Sequence, residues 1–281
     1  MDERRLILNL EIIIEGQERP IRGRLQKADG GTIPIIWNVR KEHKLVLLCL
    51  HGFGGDKDSS MIAALMKGLD EDGVGVVAFD WPAHGESDAL DSILTVEDCL
   101  TDLDIWVKVI RQITGKKISC FATSFGGYLA TLYRIAYPDA FLHLILRSPA
   151  LKMAEIYRGL LTDEEYGRLM QGGKIVQGFE RKMQLNRHFY DSLKAHDAYH
   201  TDPPYPWNIM IIQGDRDDVV NPDDIRAYAE RYKEKKMRLE ILEGTDHRYG
   251  NSGEKEKIVE VTKDFLNPFL QSEWNTKKWN I

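Results

Sequence analysis

The chain has 281 residues, of which 43% are hydrophobic and 29% are charged, and its formal net charge at pH 7 is -6. A chain of this length and apolar content is long enough for one large α/β domain that carries an insertion. The 44 acidic residues outnumber the 38 basic ones. This balance argues against a nucleic-acid-binding protein, because such a protein needs a basic face.

The cysteines and the N-terminal residues indicate the compartment. Cys49, Cys99 and Cys120 are odd in number and form no Cys-x-x-Cys pair, so we expect reduced core thiols rather than disulfides. The first residues alternate polar and apolar side chains and lack the small-residue cleavage site of a signal peptide. No apolar stretch reaches the ~20 residues of a membrane span. The sequence therefore predicts a soluble, cytoplasmic protein.

Strands of two kinds are predicted in the first third of the chain. Residues 6–14, 21–28 and 33–40 are joined by short links that contain glycine, which favours three antiparallel neighbours at the edge of a sheet. Residues 45–50 form a continuous apolar run, typical of a strand covered on both faces. A helix is predicted over about residues 58–69, followed by a strand at 74–79.

A glycine-rich loop follows the apolar run at residues 51–55, with the sequence His-Gly-Phe-Gly-Gly. Glycines let the main chain approach a substrate closely. The loop is not closed by Gly-Lys-Ser or Gly-Lys-Thr, so a phosphate-binding loop is excluded.

The stretch around Ser124 predicts a strand that turns directly into a helix. Residues 118–122 have the length and flanks of a core strand, and apolar side chains recur at helical spacing over residues 128–133. Ser124 lies at the bend, with the small residues Ala122 and Gly126 two positions to either side. Such a turn strains the residue at its apex and lifts its hydroxyl clear of the sheet.

One helix precedes this turn and one strand follows it. The helix is predicted over residues 95–113, with Thr95 as its cap, and the strand over residues 141–146. Three acidic residues of the helix are predicted to face solvent: Asp98, Asp102 and Asp104.

The alternation of strands and helices stops at residues 151–206, which are rich in helix formers and end at a Pro-Pro-Tyr-Pro run. Crossovers between strands are much shorter than this segment. We therefore predict a core of residues 1–150 and 207–281 with an inserted helical cap, or lid, that shapes a substrate pocket. The alternative is a helical ornament away from the site.

The remaining elements alternate again. They are a strand at 209–212, a helix at about 222–235, a strand at 239–242 and a final amphipathic helix at about 254–270. Polar turns follow both strands, at residues 213–218 and at residues 243–247, which end in His247. Trp274 and Trp279 are expected to pack on the body of the protein or on a second subunit, as in a homodimer.

These motifs together resemble the α/β-hydrolase superfamily over nearly the whole chain. The residues that carry the resemblance are Ala-Thr-Ser-Phe-Gly-Gly at the serine turn, the upstream Leu-Cys-Leu-His-Gly-Phe-Gly-Gly, and the downstream Gln-Gly-Asp-Arg-Asp-Asp and Gly-Thr-Asp-His. Small microbial cinnamoyl and feruloyl esterases are the most similar members. The resemblance implies an α/β-hydrolase fold, with a mostly parallel central sheet, antiparallel N-terminal strands and helices on both faces.

The resemblance implies a catalytic triad of Ser124, Asp217 and His247. Serine, then aspartate, then histidine is the chain order of α/β hydrolases. The superfamily's acid lies three residues after a glycine, here Gly214, which selects Asp217, and Asp218 is the alternative.

The backbone N–H groups of Phe53 and Phe125 are implied as the oxyanion hole. The sequence departs from the family pattern at Ala122, which replaces the first glycine of the serine motif and removes no catalytic atom. It departs again at Ala83, in a turn at residues 80–87 that resembles the superfamily's Asp-x-x-Gly-x-Gly-x-Ser turn and is expected to brace the loop.

No metal or cofactor is expected, because no spacing among the histidines, or between them and the cysteines, suggests a metal site. Six histidines besides His247 are assigned structural, core or cap-surface positions: His51, His84, His143, His188, His196 and His200.

The predicted function is a serine carboxylic ester hydrolase acting on small or medium acyl or aryl esters, with a small-molecule substrate. Hydroxycinnamoyl esters are included, because the cap of the cinnamoyl group contributes polar contacts. The candidates for such contacts are Glu155, Tyr157, Tyr166, Gln171 and Tyr190. The alternatives are a thioesterase or acyltransferase with the same triad, a peptidase, and a non-catalytic binding protein on a hydrolase scaffold.

Overall fold

The computed structural model describes residues 12–15, 19–27, 30–90, 94–178, 181–202, 208–235 and 237–276. Residues 6–11 of the first predicted strand and Trp279 lie outside these ranges, and the side chain of Trp274 is not described, so the packing predicted for the two tryptophans lies outside the described residues.

The described residues contain a sheet of nine strands, in the order β1-β2-β3-β5-β4-β6-β7-β10-β11, and a separate hairpin of β8 and β9. In chain order the strands are β1 (Ile12–Glu15), β2 (Ile21–Gln26), β3 (Thr32–Asn38), β4 (Leu45–Leu50), β5 (Val74–Phe79), β6 (Lys117–Thr123), β7 (Leu144–Arg147), β8 (Ile175–Gln177), β9 (Met183–Leu185), β10 (Ile209–Gly214) and β11 (Met237–Leu242).

Whether neighbouring strands are antiparallel or parallel depends on the length of the connections between strands. β1, β2 and β3 are antiparallel neighbours joined by short links, and β3 pairs antiparallel with β5. From β5 onward all pairs are parallel, because each return passes through a crossover that contains a helix. The predicted mostly parallel sheet with antiparallel N-terminal strands is confirmed.

Helices cover both faces of the sheet. They are α1 (Ser60–Leu69), α2 (Val96–Thr114), α3 (Phe125–Ala136), α4 (Met153–Gly159), α5 (Asp163–Met170), α6 (Arg187–Ala195), α7 (Pro222–Arg231) and α8 (Glu254–Thr276). Alternate residues of a strand point to opposite faces. Leu47 of β4 therefore packs with α1 and α8, whereas Leu48 packs with α2, α3 and α7. This double coverage explains the continuous apolar run.

The helix predicted at residues 95–113 is confirmed as α2. Thr95 caps its first turn by accepting a hydrogen bond from the Asp98 amide at 3.1 Å. The prediction that Asp102 faces solvent is wrong, because it is only 3% exposed and forms an ion pair with Lys27 at 3.2 Å. Asp102 lies one helical turn from the buried Trp106, and so on the buried face of the helix.

The segment between β7 and β10 contains three helices, α4 to α6, and the antiparallel β8–β9 hairpin, which was not predicted. Its strands have three residues each, too few for a period of two to be visible in the sequence. The segment packs on the body of the protein. Ser192 accepts a hydrogen bond from the Val96 amide at 3.1 Å, and the Tyr128 hydroxyl donates to the His196 carbonyl at 2.9 Å.

The last helix, α8, spans 23 residues and extends beyond the predicted end at residue 270. Its buried side chains, Ile258 and Leu266 among them, pack with α1. None of the helices in the described ranges combines the length and hydrophobicity needed to cross a bilayer.

Candidate active site

Ser124 lies between β6 and α3 in a backbone conformation that is rare for a residue with a side chain, with φ 50° and ψ -112°. The neighbouring backbone holds it there. The Ser124 amide donates to the Arg147 carbonyl at 2.9 Å, and the Ser124 carbonyl accepts from the amides of Tyr128 at 3.0 Å and Ala150 at 3.1 Å. The strain is therefore maintained by three hydrogen bonds to separate parts of the chain.

Helix α3 starts in direct contact with the end of β4. A Cβ atom on Gly126 would lie 2.6 Å from the His51 carbonyl oxygen and 2.8 Å from that of Leu50. On the other side of the turn, Ala122 is fully buried, so the sheet accommodates the methyl group that replaces the family's glycine. The close approach at Gly126 brings the glycine-rich loop beside Ser124.

His247 connects the serine to an aspartate. Its Nε2 lies 3.1 Å from Ser124 Oγ, and its Nδ1 lies 2.9 Å and 3.0 Å from the two carboxylate oxygens of Asp217. An ionised carboxylate can only accept, so we assign the Nδ1–H tautomer, which leaves Nε2 to accept from the Ser124 hydroxyl. The structure thus brings together the three side chains that the motifs single out.

Asp217 is buried at the end of β10 and is satisfied by backbone donors. Its Oδ1 accepts from the amides of Val219 at 3.0 Å and Val220 at 2.8 Å. Burial by itself would raise the pKa of Asp217, but the hydrogen bond and charge of His247, together with the Ser148 hydroxyl, lower it below its ordinary value. Asp217 is therefore an anion at neutral pH.

The neighbouring aspartates have other positions. Asp218 is exposed, and Asp215 accepts a hydrogen bond from the Gly244 amide at 2.6 Å, which ties the loop after β10 to the loop after β11. These two loops are in close contact, since a Cβ on Gly214 would lie 2.3 Å from the Thr245 carbonyl oxygen. The contact fixes the position of the His247 loop relative to Asp217.

Two backbone amides near the serine are free to bind a ligand. Phe125 is the first residue of α3, where an amide has no acceptor within the helix. Phe53 follows Gly52, whose Cβ, if present, would lie 3.4 Å from the Cβ of Ser124. Neither amide donates a hydrogen bond within the described residues.

His51 holds the glycine-rich loop against the next loop along the sheet. Its Nε2 accepts from the Trp81 amide at 3.2 Å, and its carbonyl accepts from the Trp81 indole N–H at 3.0 Å. Burial lowers the pKa of His51, which keeps the ring neutral and able to accept. His84 is fully buried in the same turn, with Nδ1 at 2.8 Å from the Pro82 carbonyl oxygen.

The buried Lys57 binds the same turn, at residues 80–87, and nothing in its sequence context predicted this. Its ammonium lies 2.9 Å from the Asp80 carboxylate and 2.7 Å from that of Glu86, and its own amide donates to Asp80 at 2.7 Å. The glycine at position 85 allows this packing, because a Cβ there would lie 2.4 Å from Asp80. Lys57 is 1% exposed, whereas its charged neighbours in the sequence indicate a solvated run.

An aromatic cluster lies beside the serine and includes residues of the β7–β10 segment. The cluster is defined as Phe53, His84, Phe125, Tyr157 and Phe189. The Phe53 ring stacks on Phe189, with centroids 5.6 Å apart and planes at 14°, and meets Tyr157 edge-on at 6.0 Å. The segment therefore contacts the loop that carries the Phe53 amide.

The five predicted cap contacts divide into buried and exposed residues. Tyr157 belongs to the aromatic cluster, and Tyr190 lies behind it with its ring 6.1 Å from that of Tyr157. Tyr166 contacts Tyr190 edge-on at 5.8 Å, whereas Glu155 and Gln171 are exposed. Phe189 was not predicted. Its position before Tyr190 on α6 is its only signal in the sequence.

Four other histidines make no contact with Ser124 among the described residues: His143, His188, His196 and His200. His143 is buried directly before β7, with Nδ1 at 3.0 Å from the Ser119 hydroxyl, and burial lowers its pKa to about 4. His188 and His200 are exposed, and His196 is half-buried with Nδ1 at 2.9 Å from the Ser192 carbonyl oxygen.

Comparison with known proteins gives one family match. The family model described as serine aminopeptidase, S33, the Hydrolase_4 family, matches residues 41–205, which is more than half of the chain. No curated protein matches the sequence.

Solved structures match over most of their length. Est1E from Butyrivibrio proteoclasticus with ferulic acid bound has a TM-score of 0.75 at 24% identity, covering 86% of this chain and 97% of Est1E. Alpha/beta hydrolase domain-containing protein 10 from mouse has a TM-score of 0.72 at 15% identity, with coverages of 92% and 99%. A monoacylglycerol lipase from Paleococcus ferrophilus has a TM-score of 0.65 at 20% identity, with coverages of 83% and 98%.

Structural likeness at these identities shows a shared fold, and the sheet order, strand directions and serine turn described above agree with it. The family match extends from just before β4 to the end of the β7–β10 segment, and so includes both the glycine-rich loop and Ser124. The resemblance inferred from the motifs is confirmed: the chain has the α/β-hydrolase fold and belongs to the serine aminopeptidase S33 family.

Proposed function

We propose that the protein is a serine hydrolase that cleaves carboxylic esters through an acyl-serine intermediate. The observation that carries this proposal is the position of His247, within hydrogen-bond distance of both Ser124 Oγ and the buried Asp217 carboxylate. A nucleophile, a base and an acid that orients the base are the groups that acyl transfer at neutral pH needs.

The first half of the reaction forms the acyl-enzyme. His247 Nε2 takes the proton of the Ser124 hydroxyl as Oγ bonds to the ester carbonyl carbon, and the carbonyl π electrons move to its oxygen. The amides of Phe53 and Phe125 stabilise that oxyanion. When the C–O bond to the alcohol breaks, His247 gives its proton to the leaving oxygen.

The second half releases the acid. Water replaces the alcohol, and its oxygen bonds to the acyl carbon while His247 takes one of its protons and the carbonyl π electrons move to oxygen. The tetrahedral intermediate then collapses, the bond to Ser124 Oγ breaks, and His247 returns the proton to Oγ. Asp217 stays ionised throughout, holds the Nδ1–H tautomer and stabilises the imidazolium. Loss of one oxyanion donor typically costs ~3 kcal/mol of transition-state stabilisation.

Residues 151–206 are proposed to form the cap over the substrate pocket. Tyr157 and Phe189 of this segment pack on Phe53, so an acyl or aryl group bound beside the oxyanion amides would contact the aromatic cluster. Rings of this kind favour flat or apolar substituents. Est1E, a protein of the same fold, has been solved with ferulic acid bound, which supports the inclusion of aryl esters among the substrates to be tested.

The test is turnover of p-nitrophenyl esters from acetate to long acyl chains, together with methyl ferulate, by the wild type and by Ser124→Ala. The proposal predicts hydrolysis by the wild type that is lost in the variant, with a preference for short or medium acyl chains or for the aryl ester. Folded wild-type protein that turns over no ester contradicts it and favours the binding-protein alternative. Acyl-thioesters and added alcohols, assayed in parallel, test the thioesterase and acyltransferase alternatives.

The description of the matched family favours a peptidase as the second candidate. An aminopeptidase needs a carboxylate that binds the substrate's free amine. Two acidic residues near His247 are already engaged, since Asp215 accepts from Gly244 and Asp246 accepts from the amides of Arg248 and Tyr249. Aminoacyl p-nitroanilides in the same assay decide the point: faster turnover of anilides than of esters would replace the esterase proposal.

A further inference from the structure

Arg147 is the last residue of β7 and lies beside the candidate nucleophile. It is paired in register with Thr123, and its carbonyl accepts the Ser124 amide at 2.9 Å. Neighbouring strands are about 4.8 Å apart. The Arg147 side chain therefore starts one strand away from the residue that precedes Ser124.

The guanidinium of Arg147 is held between two side chains. Its Nε donates to the Thr123 hydroxyl at 3.2 Å, and its Cζ lies 4.6 Å from the centre of the Tyr249 ring. Thr123 in turn lies against the glycine-rich loop, because its Cγ2 would be 3.8 Å from a Cβ on Gly52. These contacts fix the guanidinium close to the loop that carries the Phe53 amide.

Arg147 projects on the face of the sheet opposite the aromatic cluster. Residues two apart in a strand share a face, and Ile145 packs with α1 and α8. The residues of the aromatic cluster pack on the other face, with α2 and α3. An ester bound at Ser124 would therefore have one half beside the aromatic rings and the other half beside Arg147.

No carboxylate forms an ion pair with Arg147 in the described ranges. The nearby acids are occupied, since Asp217 bonds to His247 and Glu254 accepts the amide and side-chain N–H groups of Asn251. A guanidinium has five N–H donors, of which Thr123 takes one. Burial disfavours the charge and lowers the pKa of Arg147, but arginine remains protonated in proteins. The site therefore holds a partly buried cation whose terminal N–H groups have no acceptor among the described residues.

We propose that Arg147 binds a carboxylate of the substrate, so that the preferred esters carry a negative charge on the half that faces away from the aromatic cluster. This inference rests on the proposed ester hydrolysis at Ser124. Guanidinium and carboxylate match in shape and pair through two parallel hydrogen bonds. The protein as a whole is acidic, so a local cation at the site also offsets the repulsion of an anionic substrate.

The test compares charged and neutral esters in matched pairs. For the acyl half, p-nitrophenyl hemiglutarate is compared with p-nitrophenyl pentanoate; for the alcohol half, 4-butanoyloxybenzoate is compared with phenyl butanoate. In the wild type we expect the charged member of one pair to have the higher kcat/KM. We expect Arg147→Met to reduce that charged-to-neutral ratio about 10- to 100-fold, the range of a hydrogen-bonded ion pair. The pair that responds identifies the half of the ester that Arg147 binds.

Two variants separate charge recognition from structural support. Arg147→Lys keeps the charge without the bidentate geometry and is expected to retain part of the ratio. Arg238→Met removes an exposed cation from the start of β11, at the amino end of the parallel strands, whereas Arg147 lies at the carboxyl end of β7. It is expected to leave the ratio unchanged.

Three outcomes are distinguishable. A wild type that hydrolyses neutral esters without preferring either charged one overturns the inference and leaves the proposed function intact. An Arg147→Met variant that loses activity on charged and neutral esters equally also overturns it, and assigns Arg147 a structural role on Tyr249. Folded wild type with no turnover of any ester overturns the proposed function, and the inference with it. If Arg147→Met does not fold, the inference is tested by the charged-to-neutral ratio of the wild type and by the part of that ratio that Arg147→Lys retains.

Discussion

Ser124 is held in a conformation that costs on the order of 1–3 kcal/mol, and the residues around it determine that conformation. Hydrogen bonds from three parts of the chain fix its backbone, and the absence of a side chain at Gly126 lets α3 begin against the end of β4. The direction of the Ser124 hydroxyl toward His247 is a consequence of this packing rather than of the serine itself.

Gly126→Ala tests that consequence. Its Cβ would lie 2.6 Å from a backbone oxygen, so the helix or the glycine-rich loop must move. We expect a loss of about 1–3 kcal/mol in the free energy of unfolding and a lower kcat. Urea unfolding and ester turnover measure both.

Gly167→Ala is the matched control, because nothing lies within 4 Å of the added Cβ in helix α5. It is expected to be neutral or to stabilise the protein by up to about 1 kcal/mol. Equal effects of the two substitutions would contradict the packing argument.

Asp217→Asn is expected to lower kcat by about 10⁴, as neutralising the triad acid does in other serine hydrolases. The amide can donate to Nδ1 of His247, which favours the wrong tautomer. Asp218→Asn, one residue further along in an exposed position, is expected to retain near-normal kcat. The reverse result, with the larger loss at position 218, would reassign the acid.

The Asp217 carboxylate should also affect how the free energy of unfolding depends on pH. The pKa of Asp217 is lower in the folded protein than its ordinary value of 3.8, so ionisation favours the folded state. This contribution is complete above the unfolded-state pKa and is lost as the pH falls through the folded-state pKa. The difference in unfolding free energy between wild type and Asp217→Asn is therefore expected to be constant above about pH 5 and to shrink below about pH 4.

At the residue scale, the sequence patterns predicted the site residues that follow strands. They did not predict the residues whose role depends on being buried. Ser124, Asp217 and His247 each follow a predicted strand, so the fold brings them to one edge of the sheet. Lys57 follows no predicted strand, and Arg147, which directly follows the strand predicted at 141–146, was not singled out, because a buried cation and an exposed one look the same in the sequence. Their partners come from distant parts of the chain.

At the scale of elements, the glycine-rich loop and the turn at residues 80–87 form one unit. Trp81 bonds to His51, and the Asp80 carboxylate binds both the amide and the ammonium of Lys57. This connection was predicted only in general terms, as a brace. It fixes the loop that carries the Phe53 amide.

Lys57→Met tests the brace. Removing one partner of a buried ion pair leaves the Asp80 charge without its cation, which typically costs about 3–5 kcal/mol. We expect a loss of this size in urea unfolding, together with a lower kcat from a loosened loop.

Lys263→Met is the comparison for Lys57→Met, because Lys263 pairs with Asp72 at 2.7 Å but both side chains are partly exposed, at 45% and 26%. Its loss is expected to be less than about 1 kcal/mol. If the two variants lose the same stability, the Lys57 pair is not a buried brace.

Element boundaries were predicted best where the local pattern alone determines them. The bounds of β4 and β5 agree with the prediction, because a strand covered on both faces is apolar at every position. The β8–β9 hairpin was missed because its three-residue strands are too short to show a pattern. The burial of Asp102 was missed because it depends on contact with a distant part of the chain, which includes Lys27.

At the scale of the whole molecule, the doubly covered sheet keeps several histidines neutral. Burial lowers the pKa of His84 to about 3 and that of His143 to about 4, whereas the unfolded chain protonates histidine near 6.5. Stability from these groups is therefore complete above about pH 6.5 and is lost as the pH falls from there toward the folded-state values.

His143→Gln is expected to reduce the slope of unfolding free energy against pH by about 1.4 kcal/mol per pH unit between roughly pH 4 and 6, the value for one proton. Urea unfolding at several pH values measures the slope. The exposed His188→Gln is the control. A His143→Gln slope that equals that of the wild type would show that His143 does not take up a proton on unfolding.

The order of the motifs predicted the overall architecture, because each motif follows a strand and the strands alternate with helices. The arrangement of the β7–β10 segment could not be predicted in this way. Its helices are short, and its position depends on single contacts such as Phe189 on Phe53 and Ser192 on Val96. The segment that we propose as the cap is therefore the part that needs the structure.

The central claim is that Ser124 is the nucleophile, and covalent labelling tests it most directly. The folded protein is treated with a fluorophosphonate, and the modified residue is identified by peptide mass spectrometry. We predict a single adduct on Ser124 in the wild type, none in Ser124→Ala, and slow labelling in His247→Ala. Folded wild type that remains unlabelled, or that is labelled at another serine while Ser124 stays free, would contradict the account.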